Sequence, residues 1–312
     1  MKNLLLLLLV FCFTSCNQYN KPIENDFVII DTLQGTSFFN KPLVRRQVDA
    51  QKDSLQIVNY LEALKEYERN PMLADNIIWL GRRMAYLGDY KKAIAIYTEG
   101  IDKFPEDARF YRHRGHRYIT TRQLDKAISD FKIAVQLIEN KEDIIEPDGI
   151  PNAKNIPLST LHNNIWYHLG LAYYLQNDLL KALDAFQACL ESSNNDDMQV
   201  ATRHWLYMIF RRMELIDEAN LVLETIHKDM VIIENTAYFN LLLFYKGEFT
   251  LGDVSGNGST GSSEAAIYGV ANWQHYNGNI SKAKESYQKL VDTGNWVGFG
   301  YIAAEADLSR MQ

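Results

Sequence analysis

Three arginines in the first half of the chain could bind carboxylate groups: Arg82, Arg109 and Arg112. A guanidinium group keeps its charge and donates two parallel hydrogen bonds to one carboxylate. Together these side chains could hold an acidic peptide or the C-terminal carboxylate of a partner chain. The alternative is that they pair with acids of this chain such as Asp75 and Glu106, because surface ion pairs are common and individually weak.

A second candidate for chemistry is the glycine- and serine-rich segment that begins at residue 252. Asp253, Ser255, Asn257 and Glu264 fit the spacing of oxygen ligands in a calcium-binding EF-hand loop. Only two of them are carboxylates, and Thr260 stands where an aliphatic residue is expected. We therefore favour a connector without a metal and keep calcium as a weak alternative.

Motifs for catalysis are absent from the sequence. It contains no nucleophile elbow, zinc-protease motif, P-loop or dinucleotide-binding fingerprint. His113 and His116 stand three residues apart, but no further residues complete a metal-ligand set. Cys189 stands at a position that favours a small buried residue, and we expect it to be a core thiol. We expect a protein that is not an enzyme and has no cofactor.

The elements that must position these residues repeat along the chain. A glycine, an alanine and an aromatic residue recur after 34 residues, and again after one such period plus 21 residues. The extra residues lie within 141–162. The three sets are Gly81, Ala93 and Tyr97, then Gly115, Ala127 and Phe131, then Gly170, Ala182 and Phe186.

This pattern resembles the tetratricopeptide repeat, most fully from Trp166 to Phe186 and from Leu80 to Pro105. The resemblance implies an all-α fold, a right-handed α-solenoid of helix-turn-helix hairpins. Small residues where two helices cross allow the backbones to approach, and aromatic side chains fill the space beside them. One hairpin cannot bury its own apolar face, so at least ~3 must stack.

Seven segments follow from this repeat pattern. They are a degenerate N-terminal hairpin at 41–72, repeats one and two at 73–140, an insertion at 141–162, repeat three and a degenerate repeat four at 163–233, an irregular helix with a Gly/Ser loop at 234–263, a C-terminal repeat at 264–293 and a capping helix at 294–312. The insertion holds Glu142, Asp143, Glu146 and Asp148, and it is either functional or a passive solvated loop.

In tetratricopeptide repeat proteins the ligand usually lies in a concave groove lined by the first helix of each hairpin. The resemblance therefore implies a basic and aromatic set of partner-binding residues. These are Arg82, Arg109, Arg112, His116, Tyr167 and Tyr174, and less securely His204, Arg211, Tyr268 and Asn272.

The N-terminal residues have the pattern of an export signal. Lys2 is followed by an apolar run from Leu4 to Phe13, which is shorter than the about 20 residues of a membrane-spanning helix. Residues 13–16 resemble the lipobox of bacterial lipoproteins, which implies a signal peptide at 1–15, lipidation of Cys16 and a flexible tether at 16–40. The alternative is an ordinary secretory peptide. We expect an envelope protein held at the outer membrane and facing the periplasm.

The formal charge of −7 argues against nucleic-acid binding, which needs a net basic surface. We predict a non-catalytic adaptor that binds a protein partner in its groove and a membrane through its N-terminal lipid. The alternative is a solute-binding lipoprotein for glycan or peptide uptake, in which Tyr167, Tyr174 and Tyr268 would stack on sugars.

Overall fold

The repeated small and aromatic residues form pairs of helices that touch along their length. The computed structural model describes residues 32–148, 151–255 and 263–311. Its elements are β1 (Leu33–Thr36), β2 (Pro42–Val44), α1 (Ser54–Arg69), α2 (Ala74–Tyr86), α3 (Tyr90–Lys103), α4 (Ala108–Thr120), α5 (Leu124–Ile138), α6 (Leu161–Leu175), α7 (Leu179–Glu191), α8 (Asp196–Arg212), α9 (Ile216–Glu224), α10 (Thr236–Tyr245), α11 (Leu251–Ser255), α12 (Glu264–Tyr276), α13 (Ile280–Asp292) and α14 (Phe299–Arg310).

In the pairs α2–α3, α4–α5 and α6–α7, a ring of the second helix packs onto a glycine of the first helix. A Cβ atom added at Gly115 would lie 2.8 Å from the Phe131 ring, and one added at Gly170 would lie 2.7 Å from the Phe186 ring. Both rings are fully buried. The pairs α2–α3, α4–α5, α6–α7, α8–α9 and α12–α13 stack in order. This arrangement confirms the all-α class and the solenoid of tetratricopeptide hairpins.

The turn inside each pair places one residue in the left-handed backbone region. Gly88 and Gly278 adopt it with φ of 83° and 80°, and Arg122, Asn177 and Glu214 adopt it with φ between 61° and 64°. Glycine takes this conformation at little cost, whereas a side chain is strained there. An arginine at position 122 therefore needs a compensating interaction.

The N-terminal part differs from the predicted tether and hairpin. Residues 33–44 form an antiparallel β-hairpin, and residues 41–72 contain only one helix, α1. Gly35 lies so close to Thr121 that an added Cβ would be 2.8 Å from the carbonyl oxygen. Arg45 donates to the carbonyl oxygen of Leu87 at 3.0 and 3.1 Å. The hairpin is thus held by side-chain contacts with the repeats. The predicted signal peptide, Cys16 and residues 17–31 lie outside the described residues.

The α14 helix is enclosed by the solenoid instead of covering its end. Residues 300–308 are buried on every side, as expected of a helix in a protein core. The helix packs against α12, α13 and α6. Its small residues Ala303, Ala304 and Ala306 let the surrounding helices approach. The helix predicted within residues 294–312 is therefore present, but it lies in the core and does not cap the solenoid.

A buried ion pair joins the second repeat to α14. Arg122 donates to the Glu305 carboxylate at 2.7 and 2.9 Å, and also to the carbonyl oxygens of Thr120 and Trp296. The side chains of Arg122 and Glu305 are 2% and 0% exposed. The Phe38 amide donates to the same carboxylate at 2.9 Å. Glu305 therefore ties the N-terminal hairpin, the second repeat and α14 together.

The helices of the described ranges are too short or too polar to cross a bilayer. None of them combines the length and the apolar character that a membrane-spanning helix requires.

We predict that Glu305→Ala lowers the free energy of unfolding by about 3–5 kcal/mol, because the substitution leaves the Arg122 charge buried and unpaired. Urea denaturation followed by circular dichroism measures the change. Glu285→Ala is the matched control, since its pair with Lys289 has side chains 65% and 71% exposed, and its cost should stay below about 1 kcal/mol. Equal costs for the two variants would contradict the importance of this ion pair.

Candidate functional site

The C-terminal half of the predicted groove is filled by α14. Tyr174 and Tyr268 are buried, and their hydroxyl groups lie 2.7 Å apart. Tyr268 also donates to the Asp307 carboxylate at 2.8 Å. Burial raises the pKa of Tyr174 to about 12. These two tyrosines, predicted to face a partner, instead face a helix of their own chain.

The Asp307 carboxylate is contacted by several polar side chains of this region. Arg212 pairs with it at 2.5 Å and Arg310 at 2.6 Å. Burial opposes ionisation of Asp307, but the charges of Arg212 and Arg310 outweigh it and lower the pKa to about 2. Asn272, another predicted groove residue, accepts from Arg212 at 2.7 Å and is fully buried.

His204 and Tyr167 lie in an aromatic cluster between α6, α8 and α10. Trp205 donates to the Tyr167 hydroxyl at 2.6 Å, and the His204 ring stacks on Tyr238 with centroids 4.8 Å apart. His204 is 1% exposed, and its buried Nδ1 has no hydrogen-bond partner among the described residues. Burial lowers its pKa to about 3. This histidine is a neutral core residue.

Two other predicted groove residues also contact their own chain. His116 packs against the rings of His168 and Phe299, at centroid distances of 4.5 and 5.1 Å. Arg211 donates to Tyr207 at 3.1 Å and to Asn277 at 2.9 Å. Each of these two residues is therefore held by contacts within the chain.

Arg109, in the N-terminal half of the groove, is paired within the chain. Its guanidinium group lies 2.6 Å from Asp75 and 2.6 Å from Asp107. The hydrogen bonds that Arg109 donates to Asp107 are the largest influence that raises its pKa. Arg109 is therefore paired with acids of its own chain, which was the alternative to partner binding. Its partners are Asp75, as expected, and Asp107 instead of Glu106.

Arg112 is paired with the inserted loop, the name used here for residues 139–160 between α5 and α6. Its Nη2 atom lies 2.9 Å from Glu146 Oε2, and both side chains are largely buried. Its Nη1 donates to Nδ1 of His113 at 2.9 Å, since arginine has no lone pair to offer. The buried Nε atom of Arg112 has no acceptor among the described residues.

Arg82 and Arg117 carry positive charges, and neither forms a salt bridge with another described residue. Arg82 lies over the Trp79 ring at 4.3 Å and Arg117 over the Tyr90 ring at 5.5 Å. In the part of the chain that the structure describes, neither guanidinium group contacts a carboxylate. Burial lowers the pKa of Arg117, and the charge of Arg112 adds to this effect. We call Arg82, Arg112 and Arg117 the basic site.

The two carboxylates considered for calcium, Asp253 and Glu264, each accept a hydrogen bond from a residue of the chain. Asp253 lies in α11 and accepts from the backbone and hydroxyl of Thr250, both at 2.7 Å. Glu264 begins α12 and accepts from Asn295. The Ser255 backbone is helical, and Asn257 lies outside the described residues. Asp253 and Glu264 thus serve as local partners within the fold.

Several residues of the site were not predicted from the sequence. Arg117 follows the expected groove position His116, and Arg212 follows Arg211, so the repeat register selected the neighbour in each case. The charges on α4 are the feature of the sequence that could have indicated Arg117. That helix carries Arg109, Arg112, Arg114 and Arg117 without one acid.

Comparison with protein-family models identifies the repeats. Models of the tetratricopeptide repeat match residues 80–141 and residues 164–196. Among curated proteins, the BBSome complex member BBS4 of Bos taurus is 25% identical over 154 residues, which cover 48% of this chain and 25% of that protein. The Mus musculus protein of the same name is 26% identical over 139 residues. The chain spans about a quarter of the length of these curated relatives.

Some solved structures are similar to this chain at low sequence identity. A tetratricopeptide repeat protein from Parabacteroides merdae is 16% identical, with a TM-score of 0.49 and coverage of 84% of this chain and 95% of that chain. The pilF protein of Pseudomonas aeruginosa is 12% identical, with a TM-score of 0.46 and coverage of 83% and 92%.

We predict that His204→Phe reduces the loss of stability in acid. The unfolded chain binds a proton at His204 below its ordinary pKa of 6.5, whereas the folded chain does so only near 3. This difference favours unfolding as the pH falls from 6.5 towards 3 and amounts to about 2 kcal/mol at about pH 5.

The measurement is the free energy of unfolding at about pH 5 and about pH 8, because histidine is neutral in both states at the higher value. The gap between the two pH values should shrink by about 2 kcal/mol in the variant. An unchanged gap would show that His204 is not part of the acid response.

Proposed function

Since the chain is a tetratricopeptide repeat protein, we propose that it is a non-catalytic adaptor of the bacterial cell envelope that binds an acidic segment of a partner protein at its basic site. Tetratricopeptide repeats are scaffolds for protein–protein interaction, and the basic site supplies the chemistry for this particular scaffold. The curated relatives named above are members of a protein complex, which is consistent with a role in assembly.

One observation carries this proposal, namely the surplus of positive charge on adjacent repeats. Arg82 on α2 and Arg117 on α4 have aromatic neighbours but no described carboxylate contact. A half-buried guanidinium group is stabilised by an anion that pairs with it. The chain has a net charge of −7 and could have supplied acids here. An acidic ligand from outside would complete the site.

The position of α14 limits where such a ligand can bind. The aromatic residues of repeats three and four and of the C-terminal repeat contact α14 or each other. The basic site lies on the first two repeats, away from the Asp307 cluster. We therefore place partner binding at the N-terminal end of the groove.

The same contacts weigh against uptake of a solute. Stacking on a sugar needs an exposed aromatic face, but Tyr174 and Tyr268 are buried and hydrogen-bonded to each other. Tyr167 is held by Trp205 at 2.6 Å. The adaptor is therefore the function that the site supports best.

Localisation in the envelope rests on the N-terminal sequence. We propose that the chain is cleaved before Cys16, acylated on that cysteine and held at the outer membrane facing the periplasm. Several acyl chains on one residue would give firm attachment.

The anchor is tested with Cys16→Ser in a bacterial host that processes lipoproteins. The variant cannot form the thioether to a diacylglycerol, so it should move from the membrane fraction to the soluble fraction and lose incorporation of labelled palmitate. Cys189→Ser is the matched control and should leave both properties unchanged, because Cys189 is buried in the repeats. Equal membrane retention of the two variants would contradict lipidation at Cys16.

The binding surface is tested with Arg82→Glu and Arg117→Glu combined. Both residues lack carboxylate contacts in the described structure, so the change removes no internal ion pair. Crosslinking in cells followed by mass spectrometry should show a protein partner with the native chain and at least about tenfold less with the variant.

Lys132→Glu combined with Lys282→Glu is the control for net charge. Both lysines are exposed and lie on second helices, α5 and α13. This variant changes the total charge by the same amount and should retain the partner. Loss of the partner from both variants would indicate a general charge effect, and retention by both would place binding elsewhere.

A further inference from the structure

We infer that Glu146 and Asp148 of the inserted loop occupy part of the basic site in place of the partner. The partner segment that binds there is extended and acidic, with carboxylates on alternate residues. This inference rests on the proposed function and deepens it, because it names the chemistry of the partner and the residues that compete with it.

The inserted loop presents these carboxylates from an extended backbone. The Glu146 amide donates to the Ser159 carbonyl at 3.0 Å, and the Leu161 amide donates to the Ile144 carbonyl at 2.9 Å. Ile145 and Thr160 form an antiparallel bridge. In an extended chain, side chains two residues apart point to the same side. Glu146 and Asp148 are therefore suited to face one surface.

Proline fixes this conformation from within the loop. Pro147 stands between the two acids, and a proline restricts its own φ as well as the backbone of the residue before it. The Glu-Pro-Asp sequence thus has little extended-chain entropy left to lose when it lies on the repeats. A peptide ligand with the same spacing would place its carboxylates in the same way.

Glu146 makes the contacts expected of a bound ligand. Its carboxylate lies 2.9 Å from Arg112, 3.8 Å from Nε2 of His113, and within hydrogen-bonding distance of Asn164. The residue is buried, although the residues on either side of it are exposed. A single acidic side chain of the loop is thus inserted between α4 and α6.

The fit of the loop to the basic site is incomplete. Arg112 Nε and Asp148 Oδ2 are buried without hydrogen-bond partners among the described residues. Burial raises the pKa of the Asp148 carboxyl, and the charge of Arg82 opposes that rise. Arg117 has no described carboxylate contact. An acidic segment that accepts a hydrogen bond from Arg112 Nε and pairs with Arg117 would bind better than the loop does, which allows it to displace the loop.

The test uses a fluorescent peptide with the sequence of residues 142–148 and the double variant Glu146→Gln, Asp148→Asn. Fluorescence anisotropy should show that the variant binds this peptide at least about tenfold more tightly than the native chain, because the competing carboxylates are gone. The affinity should fall as salt is added.

Two controls define the contacts. A peptide with Gln and Asn in place of its two matching acids should not bind the double variant. Adding Arg82→Gln and Arg117→Gln to that variant should abolish binding of the acidic peptide. Equal affinity of the native chain and the double variant for the acidic peptide would overturn the inference.

A measurement on the native chain covers the case in which the double variant does not fold. Excess acidic peptide should speed hydrogen exchange of the Glu146 amide, which is bonded to Ser159, at least about tenfold while amides of α6 stay protected. Unchanged exchange at saturating peptide would overturn the inference. If crosslinking captures a protein partner but the peptide never speeds exchange at Glu146, the proposed adaptor function is retained and only this inference fails.

Discussion

Two carboxylates on α14, Glu305 and Asp307, are buried in the middle of the protein, and each must be paired with an arginine from a different repeat. Glu305 takes Arg122 from the turn of the second repeat, and Asp307 takes Arg212 from the end of α8. A buried charge is tolerated only when such partners are in place. Arginines from two different repeats therefore both reach one helix. Arg122 has a φ of 63° because it stands at the turn position that is left-handed in the other pairs as well, and its pair with Glu305 compensates for that strain.

The packing of α14 divides the groove into two parts with different roles. The C-terminal part is closed by α14 and acts as core, which explains why Tyr174 and Tyr268 are buried. The N-terminal part carries the basic site, whose charges are only partly matched by the inserted loop. A surface that is rich in arginine and incompletely paired suits reversible recognition, because a ligand gains charge-assisted hydrogen bonds that the loop does not supply.

The repeats could be predicted from the sequence because each depends on local spacing. Gly115 with Phe131 and Gly170 with Phe186 are separated by a constant interval, and their contact needs only one hairpin. The closure by α14 could not be predicted in this way. Its partners lie far away along the chain, and its sequence shares no spacing with the repeats. The β-hairpin at 33–44 was missed for the same reason, since its support comes from Thr121 and Leu87. The predicted groove residues lie on the expected helices. The burial of Tyr174 and Tyr268, however, depends on α14, which the repeat pattern does not reveal.

The link between the N-terminal hairpin and α14 has a consequence for how the chain becomes stable. Phe38 reaches Glu305 across 267 residues, and Trp296 reaches the Val44 carbonyl across 252. Repeat proteins can begin to fold from contacts between neighbouring repeats. Here Arg122 and the β-hairpin lack their partner until residues 299–310 join the fold. The chain therefore reaches its mature stability only when α14 meets the β-hairpin, and a chain cut before residue 299 would leave the Arg122 charge unpaired.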